Sequence, residues 1–318
     1  MMIDPRFREV YPPITNHQLK HLDRRCERVQ FHSLLSNKDF LILANFLRDY
    51  PDVGLRVYGN YDKSITNLSF LKYFPYIKKF GVDLWELTSL DELAYLSPNL
   101  IKLEIGKTHS KRNSLRILTK FPSLETLILE GSFKDFQTVG QLTNLENLTL
   151  RSISQLDLSI LTTLPQLKSL KIKLGSIKDF TVLPHIGKIR YLELWLIRGL
   201  TDITPVAEVI SLQYLFLQAL KHVEKIPSLN KLPALRRLHI ETLKGLYDLT
   251  PINTAPALEE LIIVDMHQLN PDNFRSFIGH PTLKSAIIGL GSVKKNKAVQ
   301  EMLKLPRVKS DKFGFIFL

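Results

Sequence analysis

Cysteine is nearly absent from this 318-residue sequence: Cys26 stands alone, so an intramolecular disulfide and a cysteine-cluster metal site are both excluded. Long hydrophobic runs are missing as well. No stretch approaches the roughly 20 apolar residues that a membrane span requires. The first residues, MMIDPRFREVYPPITNHQLKH, lack the apolar core of a signal peptide. A cytoplasmic protein without a membrane is the expectation, and the two N-x-S/T sequons, at Asn67 and Asn147, then read as chance. Catalytic signatures are equally scarce, with no phosphate loop, dinucleotide fingerprint or serine elbow, and GLG at 289–291 reads as a turn. His17 and His21 have i, i+4 spacing, but HQLKH lacks the glutamate of a zinc-protease motif, and Asp23, Cys26 and Glu27 do not complete a ligand set. The expectation is no metal, no cofactor and no enzymatic activity.

What is present describes a folded chain: 44% hydrophobic, 23% charged and 9% aromatic residues exclude wholesale disorder. Lys and Arg number 43 against 31 Asp and Glu, a net charge of +12 that favours acidic partners without identifying one. Residues 292–318 concentrate it, with Lys294, Lys295, Lys297, Lys304, Arg307, Lys309 and Lys312 against Glu301 and Asp311.

The strongest signal is an internal repeat. The pattern apolar-x-x-apolar-x-apolar starts at Ile77, Leu100, Leu124, Leu145, Leu167, Ile189, Leu212, Leu235, Leu258 and Leu283, spaced by 21 to 25 residues. Examples are LETLIL, LENLTL, LKSLKI, LQYLFL, LRRLHI and LEELII. Proline stands two residues before the start in seven of the ten units, ending the preceding turn and favouring extended backbone. Places four and six alternate with polar ones, the period of a strand buried on one face, and the spacing makes neighbouring units pair in parallel. A second apolar set follows, as in LTDITPV and LYDLTPI. One unit cannot bury this surface alone, so the units must stack.

These units resemble the leucine-rich repeat superfamily over about residues 77–290, and the short repeats with the ITP-type turn look most like bacterial internalin-like proteins. The resemblance implies an α/β leucine-rich repeat solenoid, a curved horseshoe with a concave parallel β-sheet, short convex turns or helices, and protein binding on the concave side. Two departures stand out. The ninth place, commonly Asn in the family, holds Trp85, Thr108, Ser132, Ile153, Gly175, Ile197, Leu220, Leu243, Met266 and Gly291, so the turn amides need other partners. Trp85 is expected to fill the core. An export signal and a wall-anchoring motif are also wanting, which disfavours a secreted adhesin.

Three segments follow: a helical N-terminal cap over 1–52, the solenoid over 53–291 and a basic C-terminal cap over 292–318. The helix is read in SNKDFLILANFLRDYP, with Ser36 or Asn37 as its cap, and GLRVYGN at 54–60 as a zeroth strand. At the other end, residues 296–304 read as helical. Phe313, Phe315 and Phe317 alternate as a final strand, and Pro306 suggests a degenerate eleventh unit.

Strand alternation turns places three, five and seven toward solvent. The middle units then expose Tyr191, Glu193 and Trp195; Tyr214, Phe216 and Gln218; and Arg237, His239 and Glu241, with Tyr191, Tyr214 and Arg237 as lateral neighbours about 4.8 Å apart at the backbone. Arg151, Lys171 and Lys173 lie to one side, with Glu130 beyond. Tyr, Trp and Arg dominate interface energetics, so this set is the candidate partner-binding surface of a non-catalytic module: an inhibitor, an immunity-type protein or an adaptor, monomeric when unbound. Two other readings stay open. The aromatics serve only strand pairing, or they stack bases while Arg151, Lys171 and Lys173 track nucleic-acid phosphates, against which Glu130, Glu193 and Glu241 stand.

Overall fold

A computed structural model describes residues 4–59, 63–154, 156–306 and 314–318, which form two compact units, Met1–Leu148 and Thr149–Leu318. In the first unit, β1 (Phe7–Glu9), β2 (Arg28–Phe31), β3 (Gly54–Tyr58), β4 (Lys79–Asp83), β5 (Lys102–Ile105) and β6 (Thr126–Glu130) pair in parallel and in chain order. The unit boundary falls inside β7 (Asn147–Arg151). In the second unit, β8 (Ser169–Lys173), β9 (Tyr191–Trp195), β10 (Tyr214–Gln218), β11 (Arg237–Glu241), β12 (Glu260–Val264) and β13 (Ser285–Ile288) repeat the arrangement. Every repeat predicted from the apolar pattern carries one of these strands. Three strands precede the first repeat, where one was expected.

From β3 to β13 each coil closes through a short 3-10 turn, except the one between β10 and β11, which has none. In the unit after β9, Leu200, Ile203 and Val206 are buried, Asp202 Oδ1 accepts the Thr204 amide at 2.8 Å, and Pro205 sits in the first turn, where no N–H is needed. Asp248 and Thr250 repeat this at 2.8 Å. The side-chain hydrogen bonds hold both carboxyls below the usual Asp range.

The missing asparagine ladder is replaced by the backbone. Immediately after the strand, Ser152, Leu174, Leu196, Ala219, Thr242 and Asp265 take left-handed conformations with φ between 50° and 57°. This turns each amide along the stack. Ser152 N–H donates to the Lys173 carbonyl at 2.8 Å, Leu174 to Trp195 at 2.9 Å, Leu196 to Gln218 at 2.9 Å, Ala219 to Glu241 at 2.9 Å and Thr242 to Val264 at 3.1 Å. The Asn places that follow are then free to be apolar, and Ile153, Ile197, Leu220, Leu243 and Met266 are buried there. Gly175 occupies the place where a Cβ would collide with the Ile153 carbonyl oxygen. Gln268 supplies what remains, donating from Nε2 to the Leu243 and Leu246 carbonyls at 2.7 and 2.9 Å.

The N-terminal segment holds α1 (Asn37–Arg48) together with β1 and β2, so it is less helical than expected. Ser36 and Asp39 form a capping box, and the buried Asp39 carboxylate also accepts the Ile14 amide at 2.8 Å. Phe40 of α1 stacks on Phe70 with centroids 5.3 Å apart, and Phe31 meets it edge-on, which covers the first coil. α2 (Val293–Leu303), capped by Ser292, packs against β13 and the preceding turn. Two expectations fail. Trp85 is 52% exposed, because Leu84 and Leu87 already fill the core there, and its ring carries Lys107 Nζ 5.5 Å from its centroid. Residues 314–318 add no strand to the sheet; Phe313 lies outside the described residues.

Candidate functional site

The solvent face of β8–β11 is the richest surface of the second unit. In register, Tyr191, Tyr214 and Arg237 form one row, Glu193, Phe216 and His239 the next, and Trp195, Gln218 and Glu241 the third, while Lys171 and Lys173 pair with Glu193 and Trp195. Alternation places Leu192, Leu194, Leu215, Leu217, Leu238 and Ile240 in the core behind them. The predicted lateral neighbours are therefore neighbours. Arg151, at the end of β7, is exposed and belongs to the same unit.

The face is not a row of independent side chains. Tyr191 and Tyr214 meet edge-on at 4.9 Å, Phe216 stacks on His239 at 4.3 Å, Lys171 Nζ lies 5.2 Å from the Tyr191 ring centre and Lys173 Nζ 5.5 Å from that of Trp195. Glu193 accepts from the Tyr191 hydroxyl at 3.0 Å and from Lys173 at 2.7 Å. Arg237 Nε donates to Glu260. These partners explain a departure from simple exposure: Glu193 and Arg237 are only 5% and 4% exposed although both project from the solvent side of the sheet. Burial, reinforced by Arg237, lowers the His239 pKa to about 4, so its ring is neutral at pH 7 and its 3.7 Å approach to Glu241 is not an ion pair. Burial and the Glu193 carboxylate push the Tyr191 hydroxyl well above the usual tyrosine range.

The chain's own C-terminal segment lies on this face. Phe315 meets Tyr214 at 5.3 Å and Phe317 at 4.8 Å, while Phe317 meets Tyr191 at 6.3 Å. The guanidinium groups of Arg236 and Arg237 stand 4.8 and 5.0 Å from the Phe315 ring centre. The segment's backbone is gripped too. Gln213 Nε2 donates to the Leu318 carbonyl at 3.1 Å, Leu318 N–H donates to Gln213 Oε1 at 2.9 Å, and Arg236 donates to the Ile316 carbonyl. Gln213, Arg236 and Glu260 were not among the candidates from sequence. The first two immediately precede β10 and β11, outside the alternating places, and Glu260 begins β12, one strand beyond the aromatic set.

Chemically the face offers aromatic planes, paired charges and amide and guanidinium donors directed at backbone carbonyls. Among the described residues no group of three His, Cys, Asp or Glu side chains is placed to hold a metal, and no helix is long and apolar enough to cross a membrane.

Neither a protein-family profile nor a curated protein matches the sequence. Solved structures do. An internalin (inlF) from Listeria monocytogenes aligns with a TM-score of 0.56 at 18% identity over 87% of this chain and 79% of its own. TLR13 from its complex with ssRNA13 aligns with a TM-score of 0.54 at 17% identity over 90% of this chain and 50% of its own. A chain of the mouse RP105/MD-1 complex aligns with a TM-score of 0.50 at 19% identity, covering 82% and 47% respectively. At these identities the likeness is one of fold.

Proposed function

The protein has the leucine-rich repeat fold, and from that premise we propose that it is a non-catalytic protein-binding module whose partner docks on the solvent face of β8–β11. The observation that carries this reading is the placement of Tyr191, Trp195, Tyr214 and Phe216 on two adjacent strands, on the solvent side of the sheet, where the C-terminal segment meets Tyr191 and Tyr214. They stand outside a core already filled by leucine and isoleucine. Half-buried aromatics among paired charges are the composition of an interface anchor. Roles that need only grip, such as inhibitor, immunity-type protein or adaptor, fit it. The RP105/MD-1 complex supports protein recognition by this fold, and TLR13 with ssRNA13 shows RNA in a complex of the same fold. On this face Lys173 and Arg237 are already paired with Glu193 and Glu260, carboxylates that phosphates would have to approach. A monomer in the cytoplasm, consistent with the lone thiol of Cys26, completes the proposal.

The test compares wild type with Trp195→Ala and Phe216→Ala in partner capture from the source cells, with melting followed in parallel. Truncating a central anchor costs about 2 kcal/mol, so affinity falls roughly thirtyfold with the fold intact. Wild-type affinity in both variants refutes this surface, and tight RNA binding that collapses between low and moderate salt refutes the protein partner.

A further inference from the structure

The C-terminal segment reveals what kind of chain the face accepts. We propose that the row Tyr191–Tyr214–Arg237 is a docking site for an extended segment with aromatic residues at alternate positions, carried by the partner protein. Residues 314–318 of this chain are its intramolecular stand-in, displaced when the partner binds. The inference rests on the reading of this face as the partner surface and adds the chemistry of what docks there.

The division of labour along the segment supports this assignment. Phe315 and Phe317 turn toward the sheet and meet the tyrosines, with Arg236 and Arg237 beside the first ring. Ile316 and Leu318 turn away and remain 79% and 76% exposed. At those two residues the contacts go to the backbone: Arg236 holds the Ile316 carbonyl, and the Gln213 amide exchanges two hydrogen bonds with Leu318, as a neighbouring strand would. Side-chain identity is therefore read at alternate places, while backbone is read between them. Such a site specifies aromatic-x-aromatic and tolerates any residue at x. The cationic side is built for the same purpose, since guanidinium groups favour aromatic faces.

The segment is held loosely enough to leave. Phe317 is 43% exposed, and the two outward apolar side chains gain nothing from docking. Tethering compensates, because a segment of the same chain competes at an effective concentration of about millimolar. A partner must outcompete it, and its apparent affinity falls by the fraction of time the row is open.

The experiment uses the full chain and, as probe, an amidated peptide with the sequence of residues 314–318, followed by NMR titration. Wild type should bind the probe weakly. The Phe315→Ala/Phe317→Ala protein, its row vacated, should bind it about tenfold more tightly, as for a row open about a tenth of the time. Adding Gln213→Ala and Tyr191→Ala should abolish that gain. A probe with both outward residues changed to Ser should bind like the parent, and a probe with both phenylalanines changed to Ala should not bind. Equal probe affinity in wild type and the double variant overturns the inference, as does preference for the outward residues over the aromatics. Independently of variant folding, wild type should show a nuclear Overhauser contact between the Phe315 and Tyr214 rings, and its absence overturns the docking. If these fail while Trp195→Ala still loses the partner, only the segment chemistry is wrong. Retained partner binding by Trp195→Ala and Phe216→Ala would instead overturn the reading of the surface.

Discussion

Leu215 and Phe216 are consecutive residues of β10 that meet opposite environments, so truncating each in turn tests the register of the whole face. Leu215 is fully buried between Leu192 and Leu238, its partners in the adjacent strands, and each of those is locked by the next coil. Leu215→Ala removes about three methylene equivalents, near 2.4 kcal/mol of transfer free energy at about 0.8 kcal/mol each. The stack on both sides limits collapse, and the residual cavity brings the expected cost to about 3 kcal/mol. Phe216 is only partly buried and stacks on His239 at 4.3 Å. Its truncation should cost about 1 kcal/mol, the scale of an aromatic pair. Urea unfolding distinguishes them: with a slope of about 3 kcal/mol/M, the midpoint falls by about 1 M for Leu215→Ala and by about a third of that for Phe216→Ala, at unchanged slope. Equal losses for the two variants would refute the assignment of Phe216 to the solvent face.

His239 should titrate in the folded protein with a midpoint of about 4, below its unfolded value of 6.5. A depressed histidine stabilises the fold fully above pH 6.5, and that contribution fades as pH falls from 6.5 toward 4. His239→Gln should therefore flatten the stability profile over that window, and an NMR midpoint above 6 would contradict the buried neutral ring. The left-handed backbone ladder predicts opposite signs at Ala219, where φ is 52°. Ala219→Gly relieves the Cβ penalty and should raise stability by up to about 1 kcal/mol. Ala219→Val should lower both the melting temperature and the protection of the Ala219 amide against hydrogen exchange, and higher stability for Val would rule out the ladder.

The repeat, its strands and the division of each strand into core and solvent places were legible in the sequence, because alternation and period are local properties that stacking only reinforces. LQYLFL specifies Leu212, Leu215 and Leu217 as core and Tyr214 and Phe216 as surface without knowledge of any neighbour, and the structure agrees. The strands β1 and β2 were harder to read, since each lies outside the phased repeat and offers only three or four residues. Trp85 was misplaced for a related reason: residue size favours burial, but the adjacent leucines had already filled the coil. What the tertiary structure alone decided is how the turn amides and the aromatic face are satisfied. The asparagine ladder gave way to carbonyls supplied by the next coil, a pairing that exists only once coils are stacked. Glu193 and Arg237 became buried through Lys173, Glu260 and the returning C-terminal segment rather than through their own place in a strand. Gln213 meets Leu318 across 105 residues of chain, a contact that no periodicity encodes, because it depends on where the last coil delivers the chain and on which aromatic rings stand open to receive it.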